Sequence, residues 1–144
     1  MAELHVTFKV GGAEYALPAT EVLHLESYET ATPVPGTPQY VAGLVQVRGR
    51  LVPVVDLRTR FGLDRTEHTL DRRVVVVQSQ GRVAGLLVDS AREVIQLDPA
   101  TFEDPPEILA HGIGRFVKGV ATVAKRLILL VDVPRVIGEE VGHA

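Results

Sequence analysis

Histidine is the residue of this chain best suited to hold a metal or move a proton. The five histidines, His5, His24, His68, His111 and His143, are scattered, and no two have the close spacing of a ligand pair. Serine occurs only as Ser27, Ser79 and Ser90, none within the Gly-x-Ser-x-Gly turn that exposes a nucleophile. Cysteine is absent, which removes thiolate ligands, a cysteine nucleophile and any disulfide framework. Gly11-Gly12 is followed by no Lys-Ser/Thr pair and opens no long helix, so it reads as a hairpin turn and not a phosphate cradle. The best-placed acids are Asp56 and Asp132, each just ahead of a short helical segment, where a carboxylate accepts free backbone amides. Capping explains them better than catalysis. The residues predict no catalytic group, no cofactor and no metal.

The elements around these residues come in two copies. Gly43–Gly62 (GLVQVRGRLVPVVDLRTRFG) aligns without a gap on Gly119–Gly138 (GVATVAKRLILLVDVPRVIG), a constant spacing of 76 residues. Both keep Gly43/Gly119, Arg50/Arg126, Leu51/Leu127, Asp56/Asp132 and Gly62/Gly138. Upstream, Glu21-Val22-Leu23-His24-Leu25 echoes Glu93-Val94-Ile95-Gln96-Leu97. Blocks repeated in one order mean two similar halves. Features kept in both copies belong to the fold; features of one copy alone are candidates for function.

A chain of 144 residues suits one domain, whereas halves of about 70 residues are marginal alone. The halves are therefore expected to share a core. No apolar run approaches the ~18 residues of a membrane span, so no membrane insertion is expected and a cytoplasmic location is. The net charge of −3 argues against a general nucleic-acid binder. Charge is uneven, however. Residues 1–47 are acidic, while 48–82 carry eight arginines against Asp56, Asp64, Glu67 and Asp71, either a solvated basic surface or a docking face.

Leu4–Val10 alternates with a period of two and turns at Gly11-Gly12 into a second strand, 14–17. One helical turn at 18–21 precedes a strand from Val22. The Pro-rich stretch 29–42 is an irregular connection. A hairpin follows (44–47 and 50–55, turning at Arg48-Gly49), then a short helix from Asp56 ending at Gly62. The second half repeats the plan with 73–79, 82–88, 92–97, the hairpin 116–123 and 126–131, and a helix over 132–137. Leu127–Val131 has no polar alternation and is expected to be buried on both faces. Short strands with Gly and Pro turns predict an all-β fold of two small barrels.

Two features separate the copies. Arg48-Gly49 stands opposite Ala124-Lys125, so Gly49 serves either a left-handed turn or the close approach of another surface. Pro53 stands opposite Leu129. A proline cannot donate to a ladder, so its strand is expected at an edge or bulged.

Val41-Ala42-Gly43-Leu44 and Arg48-Gly49-Arg50-Leu51-Val52-Pro53-Val54-Val55-Asp56-Leu57-Arg58 together resemble the signature of CheW, the chemotaxis coupling protein family. Tyr15–Pro18, Val83–Asp89 and Leu130-Val131-Asp132 resemble it as well, so the likeness spans residues 4 to 138. It implies a single domain over 1–144 of two SH3-like five-stranded β-barrels around a shared core, with short helices. The lobes are expected at 14–70 and 71–138, with the N-terminal strand and C-terminal helix free to be exchanged. It also implies a non-enzymatic scaffold, recruited to receptor arrays at the inner face of the membrane. The expected partners are the cytoplasmic tip of methyl-accepting chemoreceptors and the regulatory domain of a CheA-type histidine kinase. The family's receptor groove lies between the barrels. It carries over to Val22, Gly43, Arg48 and Gly49, with His24 standing where the family often has an acid. Gly85, Val94 and Gly119 match further partner-interface positions.

Two other readings compete. One is an adaptor of a type IV pilus or other non-flagellar array. The other is a tandem SH3-like RNA-binding protein, which the dispersed aromatics and acidic balance disfavour.

Overall fold

A computed structural model describes residues 1–64, 69–107 and 112–138; His68, His111 and His143 lie outside the described residues. In chain order the elements are β1 (Glu3–Val10), β2 (Ala13–Pro18), β3 (Val22–Ser27), β4 (Val41–Val47), β5 (Arg50–Asp56), α1 (Leu57–Arg60), β6 (Arg73–Ser79), β7 (Arg82–Val88), β8 (Ser90–Leu97), β9 (Val117–Val123), β10 (Arg126–Val131) and α2 (Val133–Ile137). Four hairpins turn on two residues each: Gly11-Gly12, Arg48-Gly49, Gln80-Gly81 and Ala124-Lys125, all with positive φ. A left-handed pair matches the twist of the flanking strands. Lys125, with φ 69°, adopts the conformation of Gly49 at 82°. A Cβ added to Gly49 would meet nothing within 4 Å, so within this chain Gly49 serves the turn and not a close approach.

The strands form two five-stranded sheets, ordered β8-β1-β2-β10-β9 and β3-β6-β7-β5-β4. This all-β pair of small barrels is the expected architecture, but the expected lobes at 14–70 and 71–138 do not describe it. The β1–β2 hairpin of the first half sits in the sheet of β8, β9 and β10, and the β6–β7 hairpin of the second half sits with β3, β4 and β5. Each half thus lends its opening hairpin to the other. Parallel ladders join the lent strands: Glu14–Ala16 on Ile128–Leu130, and Gly85–Leu87 on Val54–Asp56.

Side-chain alternation then feeds three apolar clusters. On β6, Val75 and Val77 face a shared core, while Val74 and Val76 face a smaller cluster belonging to the second sheet. On β10, Val131 enters the shared core, while Ile128 and Leu130 fill the first sheet's own cluster with Ala16, Ala121 and Leu97. Both helices add to the shared core through Leu57, Val133, Val136 and Ile137. Two faces buried against two different clusters explain strands that read as continuous aliphatic runs.

Two local expectations are corrected. β10 is buried on both faces only toward its end: Leu127 is 64% exposed, because the ladder to β2 begins one residue later at Ile128. Pro53 lies on no edge and no bulge. It pairs with Leu44 between β4 and β7, and the β7 ladder begins just beyond it at Val54, so one flank of β5 is unladdered at the proline. The bulge in this pair lies at Ala42 instead, and its repeat partner Lys118 is the bulge of β9.

Arg58 and Asp89 close the seam at one lent hairpin. Arg58 Nε and Nη2 donate to the Asp89 carboxylate at 2.8 and 2.7 Å, and Asp89 also accepts the Gly11 amide at 2.8 Å. This network joins α1, the β7–β8 corner and the β1–β2 turn. Burial works against ionising Asp89, yet the Arg58 bonds and charge and the Gly11 amide together hold its carboxyl below the usual carboxylate range.

Two outcomes follow. Heating or urea should unfold both sheets in one transition with coincident probes, because neither sheet is complete without the other half's hairpin; two resolved calorimetric peaks would refute the shared core. Asp89 is held ionised in the fold, so its contribution is fully present above the unfolded carboxyl value and lost as pH falls below it. Wild-type stability should therefore drop more steeply than that of Asp89→Asn below about pH 4. Parallel stability curves for the two proteins would remove Asp89 from the seam.

Candidate functional site

Arg48 is the first residue of the β4–β5 turn. Its side chain is 68% exposed, and its Nε donates to Glu26 Oε1 on β3 at 3.2 Å. Beside it a groove of about 330 Å³ opens onto the second sheet's own cluster. Val47, Val52 and Val76 form its apolar floor; His24, Arg48 and Arg50 are its ionisable rim. Arg50 is exposed and makes no ion pair among the described residues. A carboxylate reaching this rim would gain charge-assisted hydrogen bonds, and an aliphatic side chain beside it would cover the valines.

The sequence candidates do not form one patch. Val22 pairs with Val77 and packs against the shared core, whereas His24 pairs with Val76 and faces the groove. Strict alternation would put Val22 and His24 on one face. A bulge at Leu23 sends them to opposite faces. Gly49 lies in the turn. Gly43, with φ 144°, follows the β4 bulge, and an added Cβ would overlap the Thr32 carbonyl oxygen, whose bond from the Leu44 amide ties the long connection to β4. Gly85 faces Val74, Val54 and Val52, where a Cβ would come within 2.5 Å of Val74 Cγ1. Gly119 lies against Leu130 and Phe102, and its neighbour Val120 makes the equivalent bridge to Glu103. Val94 is exposed on β8, an edge strand of the other sheet, beside Val6.

Two charged residues, Arg50 in the groove and Glu26 beside it, are not among the sequence candidates. Arg50 was hidden by its repeat partner Arg126, which marks it as fold by the logic of shared features. Glu26 carries no local signal; only the fold brings β3 beside the β4–β5 turn.

No cluster of three or more potential metal ligands exists among the described residues, and none of their helices is long and apolar enough to cross a membrane. Asp56 accepts the Arg58 amide at 3.0 Å and Asp132 the Arg135 amide at 3.2 Å, each as an N-cap. Asp56 also faces the guanidinium of Arg72 at 3.7 Å, and the Arg72 side chain is only 8% exposed.

A pair of SH3-like barrels with exchanged hairpins and a cation-rimmed groove defines a scaffold class of protein. The CheW-like domain profile matches residues 4–141, so the chain belongs to the CheW family of chemotaxis coupling adaptors. Chemotaxis protein CheW of Rhizobium meliloti (strain 1021) is 31% identical over 139 residues, covering 96% of this chain and 90% of that protein. Chemotaxis protein CheW of Bacillus subtilis (strain 168) is 30% identical over 138 residues, covering 96% and 88%. The crystal structure of the scaffolding protein TtCheW from Thermoanaerobacter tengcongensis superposes with a TM-score of 0.87 at 29% identity, covering 97% of this chain and 90% of that one. Protein PilI of Pseudomonas aeruginosa is 33% identical over 118 residues, covering 80% of this chain and 65% of its own length.

Loss of either cap should cost stability of order 0.5–2 kcal/mol. Asp56→Ala should cost more than Asp132→Ala, because it also strips a buried guanidinium of its carboxylate. Thermal melts of the two variants decide this, and equal losses would mean that the Arg72 contact contributes nothing.

Proposed function

We propose that this chain is a non-enzymatic adaptor that binds the cytoplasmic tips of chemoreceptors and the regulatory domain of a CheA-type histidine kinase. The groove at Arg48 and His24 is the receptor contact in this reading, and the barrel ends serve the kinase. Family membership over nearly the whole chain carries the reading. The groove supports it: an apolar floor with exposed cations suits a protein surface, and the ion pair of Arg48 with Glu26 is exposed enough to exchange partners. The likeness to PilI favours a second reading, the same adaptor chemistry serving a type IV pilus array.

Arg48→Ala should leave folding within about ±0.5 kcal/mol, since an exposed turn side chain contributes little. It should weaken binding to a receptor-tip fragment by about 1–3 kcal/mol while kinase binding survives. Titration against each partner separately tests this. Equal losses toward both, or none toward the receptor fragment, would refute the assignment.

A further inference from the structure

The β1–β2 hairpin is joined to the rest of the chain unevenly. Its ladders run to β8 and β10, and Phe8, Val10, Tyr15 and Leu17 enter the shared core. Its neighbour in sequence, β3, lies in the other sheet and pairs with neither of its strands. Between them runs only Ala19–Glu21, one tight helical turn with no buried residue and no side-chain cap. The Val22 amide closes this turn by donating to the Ala19 carbonyl. Thr20 is exposed, and Pro18 ahead of the turn is already extended, at φ −57° and ψ 135°. Glu21 accepts a hydrogen bond from the Ser79 side chain of β6, so it stays with β3 and its sheet. Straightening the connection at Ala19-Thr20 therefore breaks one turn and uncovers no buried side chain of its own.

We propose that two copies of this chain exchange their β1–β2 hairpins, with Ala19-Thr20 as the hinge. Each hairpin then fills in the partner copy the place it holds in its own, β1 against β8 and β2 against β10. The exchange is reciprocal, so it closes on a two-fold axis and opens no strand edge that the single chain covers. Every contact outside the hinge is kept, so the two forms lie close in free energy and protein concentration decides between them. The barrier is high, because the hairpin feeds the shared core and, through Ala16, the cluster within its sheet. Exchange therefore happens while chains fold and the partner strands are still free, and a dimer once formed outlasts dilution. The groove at Arg48 is lined by β3 to β7 and the β4–β5 turn, with nothing from the hairpin, so the dimer presents two complete grooves. If the groove is the receptor contact proposed above, the dimer is a bivalent adaptor that bridges two receptor tips. The exchange itself does not depend on that reading.

The chain has no cysteine, so a pair placed across the β1–β8 ladder reports which copy supplies the hairpin. Leu4 and Gln96 stand directly opposite each other and both are exposed, which suits a disulfide. The full chain carrying Leu4→Cys and Gln96→Cys is unfolded in urea with reductant and refolded at about 1 μM and about 1 mM. Monomer and dimer are separated by size, diluted and then oxidised. The dimer fraction should rise by roughly tenfold or more at the higher concentration. On a denaturing gel without reductant, the dimer fraction should run as two linked chains and the monomer fraction as one. A dimer that falls into single chains on that gel is joined through its surface, and it overturns the exchange. Absence of dimer at the higher concentration overturns it equally. Inserting Gly-Ser-Gly after Thr20 eases folding back within one chain and should cut the dimer fraction several-fold. An unchanged fraction overturns Ala19-Thr20 as the hinge. A linked dimer that binds no receptor-tip fragment overturns the groove reading and leaves the exchange standing.

Discussion

Two parallel ladders of three residue pairs each carry the architecture: Glu14–Ala16 against Ile128–Leu130, and Gly85–Leu87 against Val54–Asp56. Of the remaining pairings, all antiparallel, four are local hairpins, while β1–β8 and β3–β6 join the two halves over long range. At these two seams a hairpin from one half meets the closing strand of the other. The flanking side chains then divide between a small cluster within each sheet and the core that the sheets share. Because the lent strands contribute to both, the seams cannot part without opening two clusters at once. The Arg58–Asp89–Gly11 network and the Arg60 guanidinium reinforce the arrangement. Arg60 donates to the Val136 and Arg135 carbonyls at the end of α2 at 3.0 Å each, and lies 3.8 Å over the Tyr40 ring.

Much of this was legible in the residues. The repeat announced two similar units, the Gly and Pro turns placed the hairpins, and Asp56, Asp132, Gly62 and Gly138 marked both ends of the short helices. The exchange of hairpins was not legible, because sequence neighbours are the default partners and Gly11-Gly12 reads identically whichever sheet receives its strands. The bulge at Leu23 was equally hidden. Its sequence looks like an ordinary aliphatic strand, yet the extra residue decides that His24, and not Val22, faces the groove. Burial of β10 was overread from composition, since an aliphatic run says nothing about where its ladder starts. The glycines have a packing role that their sequence context does not show. Gly43, Gly85 and Gly119 are held by a close carbonyl, a valine methyl and a leucine methyl, which are requirements of packing.

The groove differs from the three apolar clusters in where its polar atoms go. Inside the sheets, polar side chains turn back onto the chain: Thr7 Oγ1 donates to the Glu93 carbonyl and accepts the Glu93 amide, both at 3.1 Å, satisfying the β8 bulge. Buried Glu14 faces Arg126 at 3.8 Å. At the groove rim Arg48 has one exposed ion-pair partner, and Arg50 has none among the described residues. The groove therefore sets exposed cations beside an apolar floor, whereas the clusters inside the sheets hold their polar groups against the chain itself.

The exchanged hairpin also sets a timetable for synthesis. β1 and β2 are made long before β10, yet Glu14 finds its ladder partner only at Ile128. Until β10 and α2 exist, the shared core that buries Phe8, Val10, Tyr15 and Leu17 lacks Val131, Val133, Val136 and Ile137, and the hairpin lacks its ladder. Contacts so distant in sequence slow folding, and an unpartnered apolar hairpin is prone to engage the wrong neighbour while it waits. A nascent chain stalled before β8 would therefore behave as a sticky, incomplete barrel, and shielding by chaperones would matter more for this protein than its modest size suggests.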